Sequence, residues 1–218
     1  MNWDHILNWK LLAGSHDFPG PDGGTCINEA AIIAAGFEYK KVRSAADCPP
    51  CFSPVLSAYM IGINDTMPND HRQELMRFVM RLSGSADKAA IEQQRLELIV
   101  LRTVQKVVSS AMQAANLNDH ALACQNVTTF TGAIKIAKEA VEAVEAAGAA
   151  EASRAAWAAR AAWAAEAAWA ARAAIWSDCV AIAEEAFAIG NQAELIYVPL
   201  IQERMARHKA LALASANG

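Results

Sequence analysis

Residues 154–174 read RAAWAARAAWAAEAAWAARAA, a repeat of three in which two alanines follow each tryptophan or charged residue. Alanine has the highest helix propensity, so this stretch is predicted to be helical. Each residue of an α-helix turns by about 100°, and successive triads therefore drift by about 60° around the axis. Trp157, Trp163 and Trp169 are expected to point in three directions roughly 120° apart.

Three indoles in three directions need neighbours on several sides, because each has about 150–250 Å² of surface to bury. The triad helix is thus predicted to be a central helix or the axis of an oligomer. One interpretation is that the triads are a low-complexity sequence whose only role is packing. The other is a surface on which Trp157, Trp163 and Trp169 anchor a protein partner or a second copy of the chain.

The rest of the chain is also helical in pattern, and no segment shows the period-two alternation of a strand. Two irregular stretches interrupt it, Ser15 to Thr25 with its prolines and glycines, and Glu38 to Phe52. The predicted fold is all-α: a multi-helix bundle with an irregular Gly/Pro-rich N-terminal loop region. We expect residues 1–84 to form a loop-containing helical module and residues 85–218 a long-helix bundle that includes the triad helix.

Capping residues and apolar spacing predict where several helices begin and end. In the N-terminal half, we predict a helix from Trp3 to Leu12, a helix from Cys26 that Gly36 ends, and a helix that Ser53 caps, with Pro54 at its first position and its end near Asn64–Asp65. A buried stripe of Leu75, Phe78, Val79 and Leu82 follows and is closed by Gly84. Further on, we predict a long helix from its cap Ser85 to Asn116, a break near Gly148, the end of the triad helix at Gly190, and a last helix from Asn191 to Ala214.

Composition excludes several classes of function. The formal net charge is -4, and no cluster of lysines and arginines predicts binding to nucleic acid. The longest uncharged apolar run, residues 30–37, is far short of the ~20 residues that span a bilayer. The first residues lack the charged-then-apolar order of a signal peptide, so a cytoplasmic protein without membrane association is predicted.

Four residues on or beside the irregular stretches could ligate a metal: His16, Cys26, Cys48 and Cys51. Cys48-Pro-Pro-Cys51 has the spacing of a zinc knuckle, and structural zinc would order loops that lack secondary structure. The alternative is that these are loop thiols and a solvated imidazole. With five cysteines and no secretion signal, a disulfide framework is not expected.

Cys26 is also a candidate nucleophile, because it follows Gly23-Gly24-Thr25 and precedes a helix. At a helix N-terminus the dipole is expected to lower the pKa of a thiol. Papain-like and transglutaminase-like enzymes begin their catalytic helix in this way, but they place His and Asp on strands. This chain offers His71 and His120 on predicted helices, so catalysis is the less favoured interpretation.

Residues 14–84 resemble the N-terminal region of a family of uncharacterised proteins common in bacteriophage genomes, whose members also end in Ala-rich helical tails. The residues that carry the resemblance are Gly14, His16, Asp22-Gly23, Cys26, Glu29-Ala30, Cys51, Ser53-Pro54-Val55-Leu56, Asn64-Asp65, Pro68, Arg72 and Gly84. The resemblance implies a phage or prophage origin, hence the host cytoplasm, and a host-interaction, anti-defence or virion-associated role.

The leading hypothesis is therefore a non-enzymatic helical interaction protein that binds a host factor or acts against host defence, with its N-terminal loops stabilised by zinc. One alternative is a cysteine-dependent hydrolase or transferase that uses Cys26. Another is a structural subunit of the virion.

Overall fold

The computed structural model describes residues 10–17, 24–151 and 161–190, including the side chains of all but 144–151 and 161–173. This part of the chain is mainly α-helical, as the sequence predicts. The α-helices are α1 (Ile27–Ala34), α2 (Pro54–Thr66), α3 (Asn69–Arg72), α4 (Val79–Leu82), α5 (Ala89–Arg102), α6 (Ser109–Ala114), α7 (Asn118–Asn126), α8 (Phe130–Glu151) and α9 (Ala161–Phe187).

Two short strands correct the prediction that the chain has none. Strands β1 (Lys10–Leu11) and β2 (Gly24–Thr25) pair in parallel, with Lys10 opposite Gly24. The predicted helix from Trp3 to Leu12 is wrong where it meets β1, and residues 3–9 lie outside the described residues. A side chain at Gly24 would collide with that of Leu12, so glycine permits this close approach.

The outer edge of β1 is occupied by a side chain. The Gln73 amide accepts a hydrogen bond from the Leu11 N–H at 3.3 Å and donates one to the Leu11 carbonyl at 3.1 Å. Gln73 thereby takes the place of a neighbouring strand and satisfies both backbone groups of a buried residue.

Several predicted helix boundaries are confirmed. The Ser53 hydroxyl accepts the Leu56 N–H at 3.1 Å, and Pro54 is the first residue of α2. Gly36, Gly84 and Gly190 have φ values of 80°, 74° and 94°, which glycine adopts without strain. Each lies just beyond the end of a helix.

The apolar stripe of Leu75, Phe78, Val79 and Leu82 is buried as predicted. Its first part is a 3₁₀ segment, Gln73–Phe78, followed by α4. The ring of Phe78 stacks on that of Phe187 with centroids 5.3 Å apart.

The long helix predicted from Ser85 to Asn116 is wrong in two respects. Ser85 is not its cap: the buried Ser85 hydroxyl donates to the Leu82 carbonyl and accepts the Ser53 N–H, and α5 begins at Ala89. A π-helical segment, Thr103–Val108, then separates α5 from α6. The predicted break near Gly148 is also wrong, because α8 continues to Glu151.

The chain divides into two compact units, one of residues 1–95 with 187–218 and one of residues 96–186. In the second unit a buried cluster joins the π segment, α6, α7 and α8; its members are Val104, Met112, Ala121, Cys124, Val127, Ala133 and Ala140. The predicted division at residues 84 and 85 stays a prediction, and the predicted last helix, Asn191 to Ala214, lies outside the described residues.

In the part of the chain that the structure describes, no helix combines the length and the apolar character needed to cross a membrane.

Candidate functional site

The centre of the N-terminal region is the fully buried carboxylate of Glu29, in the first turn of α1. Cys26 caps this helix: its Sγ accepts the Glu29 N–H at 3.4 Å, and Glu29 Oε2 accepts the Cys26 N–H at 3.0 Å. This reciprocal pair is a capping box in which cysteine replaces the usual serine or threonine. The Glu29 side chain is therefore fixed by the start of its own helix.

The second carboxylate oxygen reaches two other segments of the chain. Glu29 Oε1 accepts the His16 N–H at 3.1 Å, the Ser15 hydroxyl at 3.0 Å and the Val42 N–H at 3.1 Å. Residues 15–16 and residue 42 belong to irregular stretches with few backbone partners of their own. One buried carboxylate thus holds both stretches against the N-terminus of α1. We call this set, with Thr25 and Tyr39, the Glu29 network.

Glu29 is ionised at neutral pH. Burial alone would raise the pKa of its carboxyl group, but the N–H donors of Cys26, Val42 and His16 and the Ser15 hydroxyl outweigh burial and lower the pKa. The network therefore contains a fixed negative charge, and Glu29 has little tendency to accept a proton from a substrate.

His16 and Tyr39 complete the network on its outer side. His16 Nδ1 lies 3.4 Å from Glu29 Oε2, and the Tyr39 hydroxyl donates to the His16 carbonyl. Burial, followed by the charge of Glu29, raises the pKa of Tyr39, so its hydroxyl stays protonated and remains a donor. The half-buried imidazole is thus held through its ring nitrogen and its backbone.

The thiol of Cys26 differs from the predicted nucleophile. Only 3% of the residue is exposed. Burial, followed by the charge of Glu29, raises the pKa of the Cys26 thiol, so the predicted lowering by the helix dipole is wrong. In this structure the Cys26 thiol is neutral, shielded from solvent and used as a helix cap.

Asn64 and Asp65 of α2 attach the same region from the other side. Asn64 Oδ1 accepts the Ile27 N–H at 3.3 Å, and Asn64 Nδ2 donates to the Leu12 carbonyl at 2.9 Å. Asp65 accepts the Gly14 N–H at 2.8 Å, and Arg72 Nε donates to the Asn64 carbonyl at 2.6 Å.

Seven of the residues on which the predicted resemblance rests are joined by hydrogen bonds, with Leu12 and Thr25 as the link between the Glu29 and Asn64 groups: Gly14, His16, Cys26, Glu29, Asn64, Asp65 and Arg72. Their shared role in this chain is to order the loops around α1.

Cys48 and Cys51 have other neighbours. Cys48 follows the 3₁₀ turn Ala45–Asp47, and burial raises the pKa of its thiol against the opposing effect of the Ser57 hydroxyl. The Cys51 carbonyl accepts the Ala86 N–H at 3.0 Å. The Glu29 network thus brings His16 and Cys26 together but does not include Cys48 or Cys51.

Within the described residues, no three His, Cys, Asp or Glu side chains form a group that could hold a metal ion. The predicted zinc site of His16, Cys26, Cys48 and Cys51 stays a prediction.

The predicted anchors of the triad helix cannot be placed at a surface. Trp157 lies outside the described residues, and Trp163 and Trp169 belong to α9 although their side chains are outside the described ones. Their role in binding a partner stays a prediction.

Glu29 is the site residue that the sequence analysis missed. The signal that could have found it is the spacing Cys26-x-x-Glu29 ahead of an apolar run, which is that of a capping box. The capping box was overlooked because its first residue is a cysteine, which was interpreted as a nucleophile or metal ligand.

Comparison of the chain with protein-family models, with curated proteins and with solved structures finds no match.

Proposed function

We propose that this chain is a non-enzymatic interaction protein of phage type. In this proposal the N-terminal module, residues 1–84, recognises a host protein, and residues 85–218 form a helical bundle that supports it. The observation that carries the proposal is the Glu29 network, in which the thiol, carboxylate and imidazole that could react are all used to order loops. Structural zinc at His16, Cys26, Cys48 and Cys51 is an alternative way of ordering the same loops, and chelation distinguishes the two.

Ordered loops favour recognition because less conformational entropy is lost when a partner binds. The segment 37–42, which we call the 37–42 loop, is fixed at both ends: the Phe37 N–H donates to the Ile32 carbonyl at 3.1 Å, and the Val42 N–H donates to Glu29. Between these points the Tyr39 hydroxyl is bonded to His16.

The 37–42 loop presents an aromatic ring and two cations. Phe37 is 41% exposed, although phenylalanine is usually buried. Lys40 and Lys41 follow it in the same loop, and their side chains are also exposed. Lys41 is paired with the exposed Asp17, and Lys40 with Asp47. Surface pairs of this kind are weak and can be exchanged for a partner's carboxylates. The partner that fits is a protein surface with an apolar pocket bordered by acidic groups.

The test is capture of a host protein by the full-length, affinity-tagged chain, followed by mass spectrometry and by titration of the purified partner. We expect Phe37→Ala to weaken binding at least tenfold, because exposed aromatic anchors dominate such interfaces. The matched control is Leu122→Ala, which removes a 58% exposed apolar side chain outside the module and should leave the affinity unchanged.

Three results would overturn the proposal. Equal loss of affinity in both variants would remove the 37–42 loop from the interface. Repeated failure to capture a partner, combined with turnover of a small molecule that Cys26→Ser abolishes without altering the fold, would favour the cysteine hydrolase or transferase. A large symmetric assembly in light scattering would favour the virion subunit.

A further inference from the structure

Helix α8 has a packed side and an exposed side. Ala133 and Ala140 are buried in the core cluster of the second unit. Ile134 and Val141, by contrast, are 52% and 58% exposed. They are seven residues apart, or about two turns, and so lie on the same side of the helix. Among the described residues this is a helix face with two large apolar side chains in solvent.

The charges beside these residues are ordered along the helix. Lys135 and Lys138 come first, and Glu139 and Glu142 follow. Each lysine is paired with the glutamate one turn later, with N–O distances of 3.7 and 3.9 Å, and all four side chains are at least half exposed. Exposed pairs of this kind contribute little, so the four groups remain available to a partner.

The order of charges along α8 is complementary to that of a second α8 that runs in the opposite direction. In an antiparallel pair with its twofold axis between Lys138 and Glu139, Lys135 of one copy lies opposite Glu142 of the other, and Lys138 lies opposite Glu139. Ile134 of each copy then lies within about two residues, or roughly 3 Å along the axis, of Val141 of the other. A parallel pair would instead place lysines beside lysines and glutamates beside glutamates, which is unfavourable.

We propose that the exposed face of α8, defined by Ile134, Lys135, Lys138, Glu139, Val141 and Glu142, binds the same face of a second copy of this chain in antiparallel orientation. A closed twofold interface of this kind uses one patch on both subunits. The interface is small, so the dimer belongs to the weak class that forms at high protein concentration. The inference is independent of the 37–42 loop and of the identity of any host protein.

The experiment uses two charge-swapped full-length chains. Lys135→Glu with Lys138→Glu makes the face wholly acidic, and Glu139→Lys with Glu142→Lys makes it wholly basic. We expect the unaltered chain at about 100 µM to sediment as a dimer in equilibrium with monomer, a concentration suited to a weak interface. Each swapped chain alone should be a monomer, and an equimolar mixture of the two should form a heterodimer.

The mixture decides the test, because a heterodimer of defined mass requires two folded and complementary faces, whereas misfolded chains give aggregates of mixed size. Circular dichroism of each variant provides a further check that helicity is retained. Val141→Ser should also weaken the dimer of the unaltered chain, since it removes apolar contact without changing charge. A monomeric unaltered chain at this concentration, a dimer that persists in both swapped chains, or a mixture that stays monomeric would each overturn the proposal.

Discussion

At the scale of single residues, the N-terminal region depends on the charge of one carboxylate. Glu29 accepts hydrogen bonds from the N–H groups of His16, Cys26 and Val42 and is fully buried. Glutamine has nearly the same shape, but it replaces one accepting oxygen with an NH₂ group that faces other donors. We expect Glu29→Gln to lower the free energy of unfolding by about 3 kcal/mol, since buried donors lose their acceptor.

Urea denaturation followed by circular dichroism measures this loss. Glu38→Gln is the control, because Glu38 belongs to the same module and is exposed, and we expect it to change stability by less than about 0.5 kcal/mol. Similar effects of the two substitutions would show that the Glu29 network does not order the loops.

The same carboxylate predicts how stability depends on pH. Because the pKa of Glu29 is lowered in the folded state, its contribution is fully present above the unfolded pKa of about 4.3 and is lost as the pH falls through the folded pKa. The stability difference between the unaltered chain and Glu29→Gln should therefore be largest near neutrality and shrink below about pH 4.3. Urea titrations at several pH values test this, and a difference that grows on acidification would contradict the assignment.

Thiol reactivity gives a third prediction at this scale. Burial raises the pKa of both Cys26 and Cys48, but Cys26 is shielded from solvent, whereas Cys48 and Cys51 are half-buried. With iodoacetamide at neutral pH, we expect Cys51 and Cys48 to be alkylated well before Cys26, because the reaction needs an accessible thiolate. Peptide mapping by mass spectrometry gives the order, and unfolding in urea should make all sites react at similar rates. Rapid stoichiometric labelling of Cys26 at pH 6 would instead support the nucleophile.

At the scale of secondary-structure elements, a buried arginine joins α5 to the end of α9. Arg95 donates to the Ser85 carbonyl at 2.7 Å, to the Ile189 carbonyl at 2.9 Å and to Glu92 at 2.7 Å. The Ile189 carbonyl lies just beyond the end of α9 and the Ser85 carbonyl lies before the start of α5, so the guanidinium supplies a donor to two backbone groups outside the helices. Gly190 permits this close approach, because a Cβ there would lie 2.6 Å from Asp87 Oδ2, 2.8 Å from Ile91 Cγ2 and 3.1 Å from Arg95 Nη2.

We expect Arg95→Met to cost about 3–5 kcal/mol, since it leaves the partly buried carboxylates of Asp87 and Glu92 without their cation and two carbonyls without this donor. The matched control is Arg102→Met. Arg102 is on the same helix and also pairs with a glutamate, Glu185 at 3.0 Å, but its side chain is 43% exposed. A pair of that kind is worth about 1 kcal/mol or less. Equal losses in urea denaturation would contradict the role given to Arg95.

Elements were predictable where a local signal decides them. Ser53-Pro54 begins α2 and Gly84 ends α4 because a cap and a left-handed glycine act within a few residues. The strand at Lys10–Leu11 was not predictable, since two residues carry no period and their partner is β2, fourteen positions away. Ser85 was wrongly predicted to be a helix cap, because its hydroxyl is hydrogen-bonded to Ser53 and Leu82 instead. A capping rule considers only the residues that follow in the sequence, so it cannot predict a bond to a residue 32 positions away.

At the scale of the whole molecule, composition sufficed to predict a mainly helical chain, because helix propensity is local and additive. Of the predicted triad helix, residues 161–174 lie in α9 and residues 154–160 lie outside the described residues. The site was only partly accessible to the same reasoning. His16 and Cys26 were identified by residue type, and both are hydrogen-bonded to Glu29, which was not identified as a site residue. The contact of His16 and Cys26 with Glu29 depends on how residues 15, 29 and 42 fold together. A carboxylate is buried at low cost only when hydrogen-bond donors surround it, and these donors come from distant parts of the sequence.

Ordering of the loops by Glu29 and ordering by zinc predict different behaviour of the full-length protein in the presence of a chelator. Zinc at His16, Cys26, Cys48 and Cys51 would make folding depend on metal, because binding free energy then becomes folding free energy. The Glu29 network offers the loops an internal alternative, in which backbone donors of His16, Cys26 and Val42 are already satisfied. We therefore expect excess EDTA to leave the helical circular dichroism and the unfolding temperature of untagged protein unchanged, whereas Glu29→Gln lowers the unfolding temperature with or without chelator. A fall in unfolding temperature on chelation, restored by one equivalent of zinc per chain, would instead support the metal site.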